Sequence, residues 1–380
     1  MMPLARFLSA SFPSLRATAA VLAAAVLVGG CLQDDVTPVA PRYRAAVEGV
    51  LARYHVAGAL VSVSVPGDST WKQAFGYANL EDRTPFDPAS FGSIRSITKS
   101  FTVTVILQLV RDQVLRLDDR LDRYIPGIPN GDTITLADLA GMQSGIADYS
   151  AQPAFQEDFG SNPERSFTEA ELVAYAIPAS PVFAPGDQYQ YSNTNTVLLG
   201  MVIENVTGQP LGSVLQSRIF TPLGLSGTLY PLTIPLPLPH PTPYAVAVDT
   251  GEAERLPLLS PTALAGAGAM VSTLADLETW GRALGDGRLI GAELQKERIE
   301  RSRLVTNGPE YDRYGLGIGM IDGWWGHTGT GVGWQAATFY DPRTGAVIAA
   351  MVNETPVGGG RDLNIAQELF EALADVVATR

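Results

Sequence analysis

The spacing of apolar and polar positions divides the chain into segments of two kinds. Between Tyr43 and Tyr54, Ala46, Val47, Val50 and Leu51 recur at helical spacing, which predicts a helix with one apolar face. From Ala59 to Val65 the apolar Leu60, Val61, Val63 and Val65 interleave with Ser62 and Ser64. Pro66-Gly67-Asp68 then signals a turn, and Trp71 to Tyr77 resumes the strand pattern, so a hairpin is expected. The run from Ile97 to Val110, with Phe101, Val105, Leu107 and Leu109, predicts a largely buried helix that begins at Ser96. Between residues 112 and 260 helical stretches alternate with loops rich in Pro, Gly and Asp. Six prolines between Pro231 and Pro243 predict an extended surface loop, because proline fixes φ and lacks an amide donor. Strand patterns return at Tyr314 to Ile321, Trp324 to Thr328, Gly333 to Tyr340 and Val347 to Val352, with a turn at Asp341-Pro342-Arg343-Thr344-Gly345. A last helix is predicted from Arg361 to Val377.

Strands at both chain ends with helices between them predict an α+β fold. In it, one antiparallel sheet is formed by both chain ends and flanked by helices, and a mostly helical lobe is inserted. The expected division is a single domain over 41–380, with 41–95 and 256–380 forming the α/β lobe and 96–255 the helical lobe. At 380 residues, with 46% hydrophobic and 17% charged positions, the chain can bury a substantial core.

Residues 1–31 carry a different pattern: Arg6 and Arg16 form a basic start, and an apolar run from Ala17 to Val28 follows. That run is shorter than the ~20 residues a membrane-spanning helix needs. It ends in Val28-Gly29-Gly30-Cys31, which resembles a bacterial lipobox, the cysteine thiol being the lipidation site. The expectation is a signal peptide and lipobox over 1–31, a tether over 32–40, and an extracytoplasmic body anchored to the bacterial cell envelope by lipid on Cys31. Cys31 is the sole cysteine, so an intrachain disulfide and a thiolate metal site are both excluded. With 39 acidic against 26 basic residues the net charge is −13, and such a surface repels phosphate backbones. A nucleic-acid role is therefore excluded, whereas a small-molecule or peptide substrate fits; no cofactor is implied.

Candidate chemistry is concentrated in three short strings. Ser96-Ile97-Thr98-Lys99 places a hydroxyl at a helix start and an amine three residues later on the same helix face. A lysine in a partly desolvated cleft can serve as a base for the serine, and the helix N-terminus supplies positive potential for an oxyanion. A second Ser-x-x-Lys string, Ser69 to Lys72, enters a strand, where positions three apart face opposite sides, so it is dismissed. Lysine occurs only at 72, 99 and 296, so Lys99 on an apolar helix is not a product of composition. The other strings are Tyr191-Ser192-Asn193, which follows Pro185-Gly186, and Trp325-Gly326-His327-Thr328-Gly329 on a predicted strand. A Ser-His-Asp triad would need a Gly-x-Ser-x-Gly elbow, which is absent. The histidines His55, His240 and His327 have no metal-ligand spacing.

Ser-x-x-Lys, then Tyr-x-Asn, then His-Thr-Gly, in this order, resembles the serine β-lactamase and D-alanyl-D-alanine carboxypeptidase superfamily, most of all its class C-like members. The likeness extends through Ser96 to Val110, Tyr191 to Gly200 and Tyr314-Gly315-Leu316-Gly317. It implies a β-lactamase/transpeptidase-like fold and an acyl-enzyme formed on Ser96, with Lys99 and Tyr191 shuttling its proton; which of the two is the base stays open. It further implies that Asn193 bonds substrate or Lys99, that His327, Thr328, Gly329 and Thr330 border the substrate, with His327 and Thr328 orienting it or Tyr191, and that the amides of Ser96 and Thr330 form the oxyanion hole. Ser144-Gly145, where relatives often carry a His-x-Ser-Gly or Thr-Ser-Gly loop, is expected to be a structural turn.

The pattern departs from the carboxypeptidases at one position. An arginine for a terminal carboxylate often precedes His-Thr-Gly there, but Gly319 occupies the place, which weakens the case for carboxylate recognition. Trp324, Trp325 and Trp334 lie close to the motif, either as walls of an apolar pocket or as core. Two functions follow: a serine hydrolase acting on an extracytoplasmic peptide, amide or ester, with a peptidoglycan peptide among the candidates, or a non-hydrolytic penicillin-recognising or cell-wall-binding lipoprotein.

Overall fold

β1 (Gly58–Ser64) and β2 (Trp71–Asn79) form the expected hairpin, with Ala59 opposite Phe75 and Val63 opposite Trp71. Three strands from the far end of the chain, β3 (Trp324–Gly331), β4 (Trp334–Tyr340) and β5 (Val347–Val352), extend the same sheet, because β5 pairs directly with β1 from Ala59 opposite Val352 to Ser64 opposite Val347. The computed structural model describes residues 39–234, 236–306, 311–358 and 363–380. The predicted signal peptide, Cys31 and nearly all of the tether lie outside the described residues. Among the described residues the sheet has nine antiparallel strands, in the order Thr84–Pro85, β2, β1, β5, β4, β3, Gly319–Ile321, Arg313–Tyr314 and Arg303–Leu304.

Five helices position the rest: α1 (Ala40–Tyr54), α2 (Ile97–Arg111), α3 (Asn193–Thr207), α4 (Leu274–Asp286) and α5 (Ile365–Ala378). α1 and α5 cover one sheet face, where Val47, Val50, Leu369 and Phe370 meet Val61, Phe339, Ile348 and Ala350. On the other face, α2 and α4 bring Phe101 and Trp280 into one core with Leu60, Ala336, Ala349 and Met351. Successive strand residues such as Leu60 and Val61, or Ile348 and Ala349, thus enter opposite cores, as the two-residue strand period requires. With both faces covered, the central strands β1, β4 and β5 are buried almost along their whole length rather than alternating between buried and exposed positions.

α2 runs between the sheet and the helical part and is buried at every position from Ile97 to Leu109. Its hydroxyls are tolerated there because each finds a partner: Ser100 Oγ accepts from Trp280 Nε1 at 2.9 Å, and Thr102 Oγ1 donates to Gly266 O at 2.9 Å. The indole of Trp280 also stacks on Phe101 with ring centroids 3.6 Å apart. In the helical part, short helices start at capping boxes, Thr135 with Asp138 and Thr168 with Glu171.

One expected strand divides. Instead of a single strand from Tyr314 to Ile321, the chain forms Arg313–Tyr314 and Gly319–Ile321, which pair with each other as a small hairpin. Gly317 at the bend has φ 63° and donates its N–H to Ala140 O at 2.9 Å. A Cβ there would sit 2.5 Å from Val103 Cβ, so close packing on α2 together with a left-handed backbone requires glycine and stops the strand.

Candidate active site

Ser96 is the N-cap of α2, yet its side chain makes no capping bond, and it is half-buried in a stretch where every neighbour from Gly92 to Lys99 is buried. The hydroxyl is therefore not tied up as a helix cap. Arg95, just before it, holds φ 47°, a left-handed conformation uncommon outside glycine that turns the chain sharply into the helix. One helical turn on, Lys99 is fully buried, and its Nζ stands 2.9 Å from Ser96 Oγ, 2.7 Å from Asn193 Oδ1 and 2.8 Å from Ala267 O. The i to i+3 relation places the first contact; the other two come from residues far along the chain.

Asn193 is the first residue of α3, and its amide bridges Lys99 to an acid absent from the sequence reading. Asn193 Nδ2 donates to Asp148 Oδ2 at 2.9 Å and to Ser150 Oγ at 3.0 Å. Asp148 caps the short turn Tyr149–Ala151, accepting from Ser150 N and Ser150 Oγ at 2.9 Å each. Burial pushes the Asp148 carboxyl above the usual carboxylate range, while the Ser150 hydrogen bonds and the Lys99 charge pull against that rise. The one sequence signal is Asp-x-Ser, which marks a local turn and says nothing of a partner 45 positions away. Tyr191 completes this side: Lys99 Nζ lies 4.8 Å from the centre of its ring.

β3 forms the opposite wall. Gly329 packs against the turn before the serine so tightly that a Cβ would lie 2.1 Å from Ile94 O. The next residue, Thr330, is exposed, and its Oγ1 accepts from Asn364 Nδ2 at 2.9 Å. The structure thus brings Ser96, Lys99, Tyr191 and Asn193 together and runs the Gly329–Thr330 backbone alongside them.

His327 and Thr328 take a different position, buried behind that wall at 0% and 1% exposure. His327 Nδ1 lies 2.6 Å from Thr328 O, which can only accept, so Nδ1 carries the proton and Nε2 accepts from the Tyr314 hydroxyl at 3.0 Å. Tyr311 OH lies 2.7 Å from Thr328 Oγ1 and accepts from Thr328 N at 2.9 Å. Burial holds His327 down to about 3, so the imidazole is neutral. Its link to Tyr191 passes through Tyr314, whose ring meets that of Tyr191 edge-on at 6.3 Å. Neither Tyr311 nor Tyr314 was singled out as a site neighbour in the sequence.

Two further cations are buried around α2. Arg298, 1% exposed, donates to Leu316 O at 2.9 Å and Thr104 Oγ1 at 3.0 Å, and burial pulls it down to about 9. Arg95 donates to Val332 O at 2.6 Å, and burial pulls it down to about 10. Among the described residues neither forms an ion pair. Both guanidinium groups are held by carbonyl and hydroxyl oxygens close to the helix that carries Ser96.

The remaining sequence features separate cleanly. Lys72 of the second Ser-x-x-Lys string pairs with Glu278 at 3.1 Å, away from Ser69. Ser144 bonds Asn195, and Gly145 turns at φ 74°. Trp324, Trp325 and Trp334 are 4%, 8% and 3% exposed and belong to the core. A Cβ at Gly319 would lie 2.3 Å from the ring of Tyr311, so the ring fills the space an arginine would need.

Residues 43–372 match the Beta-lactamase family. A D-aminopeptidase of Gluconobacter oxydans is 30% identical over 248 residues, covering 65% of this chain and 46% of that protein. The chain thus spans under half the length of the curated relatives it matches. Among solved structures, a D-stereospecific amidohydrolase from Streptomyces sp. superposes with a TM-score of 0.75 at 31% identity, over 87% of this chain and 97% of that one. A D-amino acid amidase from Ochrobactrum anthropi SV3, complexed with D-phenylalanine, gives 0.78 at 25% identity over 89% and 99%. With the sheet of both chain ends, the buried Ser-x-x-Lys helix and the family match over most of its length, the chain belongs to the Beta-lactamase family of serine hydrolases, with the β-lactamase/transpeptidase-like fold.

Proposed function

We propose that this chain is a serine hydrolase that forms an acyl-enzyme on Ser96 and cleaves amides or short peptides of D-amino acids. The observation that carries the reading is the hydrogen-bond environment of Lys99. Asn193 Oδ1 and Ala267 O accept and cannot donate, so each takes one amine hydrogen; a neutral amine then turns its lone pair toward Ser96 Oγ, 2.9 Å away. Ser96 Oγ attacks the substrate carbonyl as its proton passes to Lys99, and the oxyanion meets the amides of Ser96 and Thr330. The C–N bond then breaks, Lys99 and Tyr191 return the proton to the leaving nitrogen, and water hydrolyses the ester. His327 and Tyr314 act from behind, holding the Tyr191 ring; Gly329 keeps the wall close.

The choice of substrate rests on the relatives, two of which are named for D-amino-acid peptides and amides, and on Tyr311 standing where a carboxylate-binding arginine would go. The export signal and the lipobox-like ending at Cys31 support a site of action outside the cytoplasm, on a lipid anchor that Cys31→Ala would release from membranes.

The test has two arms. Intact mass of wild type after a fluorophosphonate should rise by one adduct that is absent in Ser96→Ala. Release of ammonia from D-phenylalanine amide, but not from the L-form, should disappear in the same variant. A Ser96→Ala protein that still labels or turns over would overturn the assignment, and an adduct without turnover of any amide or ester would favour the non-hydrolytic reading.

A further inference from the structure

The cleft contains a carboxylate that the acyl-transfer steps do not use. Both oxygens of Asp148 are engaged on the partner of Lys99 and on that partner's neighbour. An asparagine amide has two nearly isosteric ends, one donating and one accepting, and nothing in its shape determines which end faces the lysine. The surroundings of Asn193 determine it. The two Ser150 hydrogen bonds to Oδ1 favour the ionised form of Asp148, and an ionised carboxylate only accepts, so the end at Asp148 Oδ2, 2.9 Å away, is Nδ2. The Ser150 hydroxyl hydrogen is committed to Asp148 Oδ1 at 2.9 Å, which leaves Ser150 Oγ to accept the second Nδ2 hydrogen at 3.0 Å. Ser150 is itself held by its own N–H on Asp148 Oδ1. Every hydrogen in this group has a single destination, and only Oδ1 is left to face Lys99.

We propose that Asp148 is a positioning residue of the acylation step: with Ser150 it locks the Asn193 amide so that an acceptor, never a donor, faces Lys99 Nζ. The proposal rests on the reading of Lys99 as the group that receives the Ser96 proton. Reversing the amide would aim two N–H groups at the amine, compete for its lone pair and leave it unanchored on that side. Asp148 thus acts on the serine through three successive hydrogen bonds, Asp148 to Asn193, Asn193 to Lys99 and Lys99 to Ser96.

The experiment is a double-mutant cycle on the full protein, using Asp148→Asn, Asn193→Ala and their combination, with Ser150→Ala and Ser96→Ala alongside. The readouts are the rate of fluorophosphonate adduct formation by intact mass, kcat and KM on a chromogenic ester, and the melting temperature. Asp148→Asn keeps the shape but accepts either amide orientation, and should slow acylation about 10- to 100-fold with KM within about twofold of wild type. In the Asn193→Ala background the same change should cost less than about twofold, because its target is gone. Ser150→Ala, a milder cut, should cost about threefold and also lose its effect in that background. A folded Asp148→Asn protein that acylates at the wild-type rate overturns the proposal, as do losses that multiply in the combined variant, which would put Asp148 directly on the substrate. If Asp148→Asn does not fold, the Ser150→Ala pair decides by the same criterion. Labelling that survives in Ser96→Ala would instead remove the acyl-enzyme reading, and the lock with it.

Discussion

Gly329→Ala isolates the closeness of the two walls from their chemistry, since it adds one methyl and removes no functional group. The new Cβ would lie 2.1 Å from Ile94 O, 3.0 Å from Ile94 C and 3.1 Å from Arg95 Cβ. The carbonyl contact must lengthen by about 1 Å before it is tolerable. Neither side gives way easily: Gly329 is in register with Ala336 in the middle of the sheet, and Ile94 is fully buried with its N–H on Met270 O at 3.1 Å. Overpacking of this kind costs about 1–3 kcal/mol of stability. The effect on chemistry is larger in proportion, because β3 carries Thr330 and the turn carries Ser96, so a displacement of about 1 Å between them misplaces the oxyanion donors and costs about 100-fold in rate. The assay compares fluorophosphonate labelling rates by intact mass with melting temperature. Gly49→Ala serves as control: it lies in α1 with nothing within 4 Å of the added carbon, and should leave the rate unchanged while stabilising by about 0.5–1 kcal/mol. Wild-type labelling by a Gly329→Ala protein with an unaltered melting temperature would refute the argument that this contact sets the site.

Other outcomes follow from the same geometry. Lys99→Met keeps the bulk and removes the amine, and should slow acylation about 100- to 10,000-fold in stopped-time mass measurements; an unchanged rate would take Lys99 out of the mechanism. His327 is neutral in the folded protein, held down to about 3 by burial, so its contribution is complete above the unfolded value of 6.5 and is lost as pH falls toward 3, by up to about 1.4 kcal/mol per pH unit. Chemical denaturation between pH 6.5 and 4.5 should show that slope in wild type and a shallower one in His327→Gln. Glu354 runs the other way: it is fully buried, with Oε2 on Ala57 N and Oε1 without a partner among the described residues, and burial raises it to about 8. Its contribution is complete below 4.5 and declines as pH rises toward 8, so Glu354→Gln should gain stability relative to wild type between pH 5 and 8, and a constant difference across that range would show that the carboxyl does not titrate there.

Much of this protein was legible before folding was considered, wherever the signal was local. The Ser96–Lys99 contact follows from helical spacing, and the hairpin of β1 and β2, the buried helix α2 and the strand β5 follow from the period of their apolar positions. The order of three short strings was sufficient to anticipate the fold. Other features depended on segments distant in sequence meeting in space. The same motif leaves Lys99 with open valences; Asn193 and Ala267, 94 and 168 positions away, fill them only once α3 and the loop before α4 pack on α2. Asp148 reads as a turn residue and becomes the lock on Asn193 through a contact no periodicity encodes. His327 sits in the motif in sequence but behind the wall in space, because its strand direction and the rings of Tyr311 and Tyr314 determine which way it points. The strand expected through Gly317 breaks because Val103 on α2 leaves no room for a side chain there. Sequence determines which groups are available and which neighbours share a helix face, since bonded geometry carries those over a few residues. Which acceptor faces which donor across the cleft is decided by packing, because a buried polar group takes whichever partner the fold delivers.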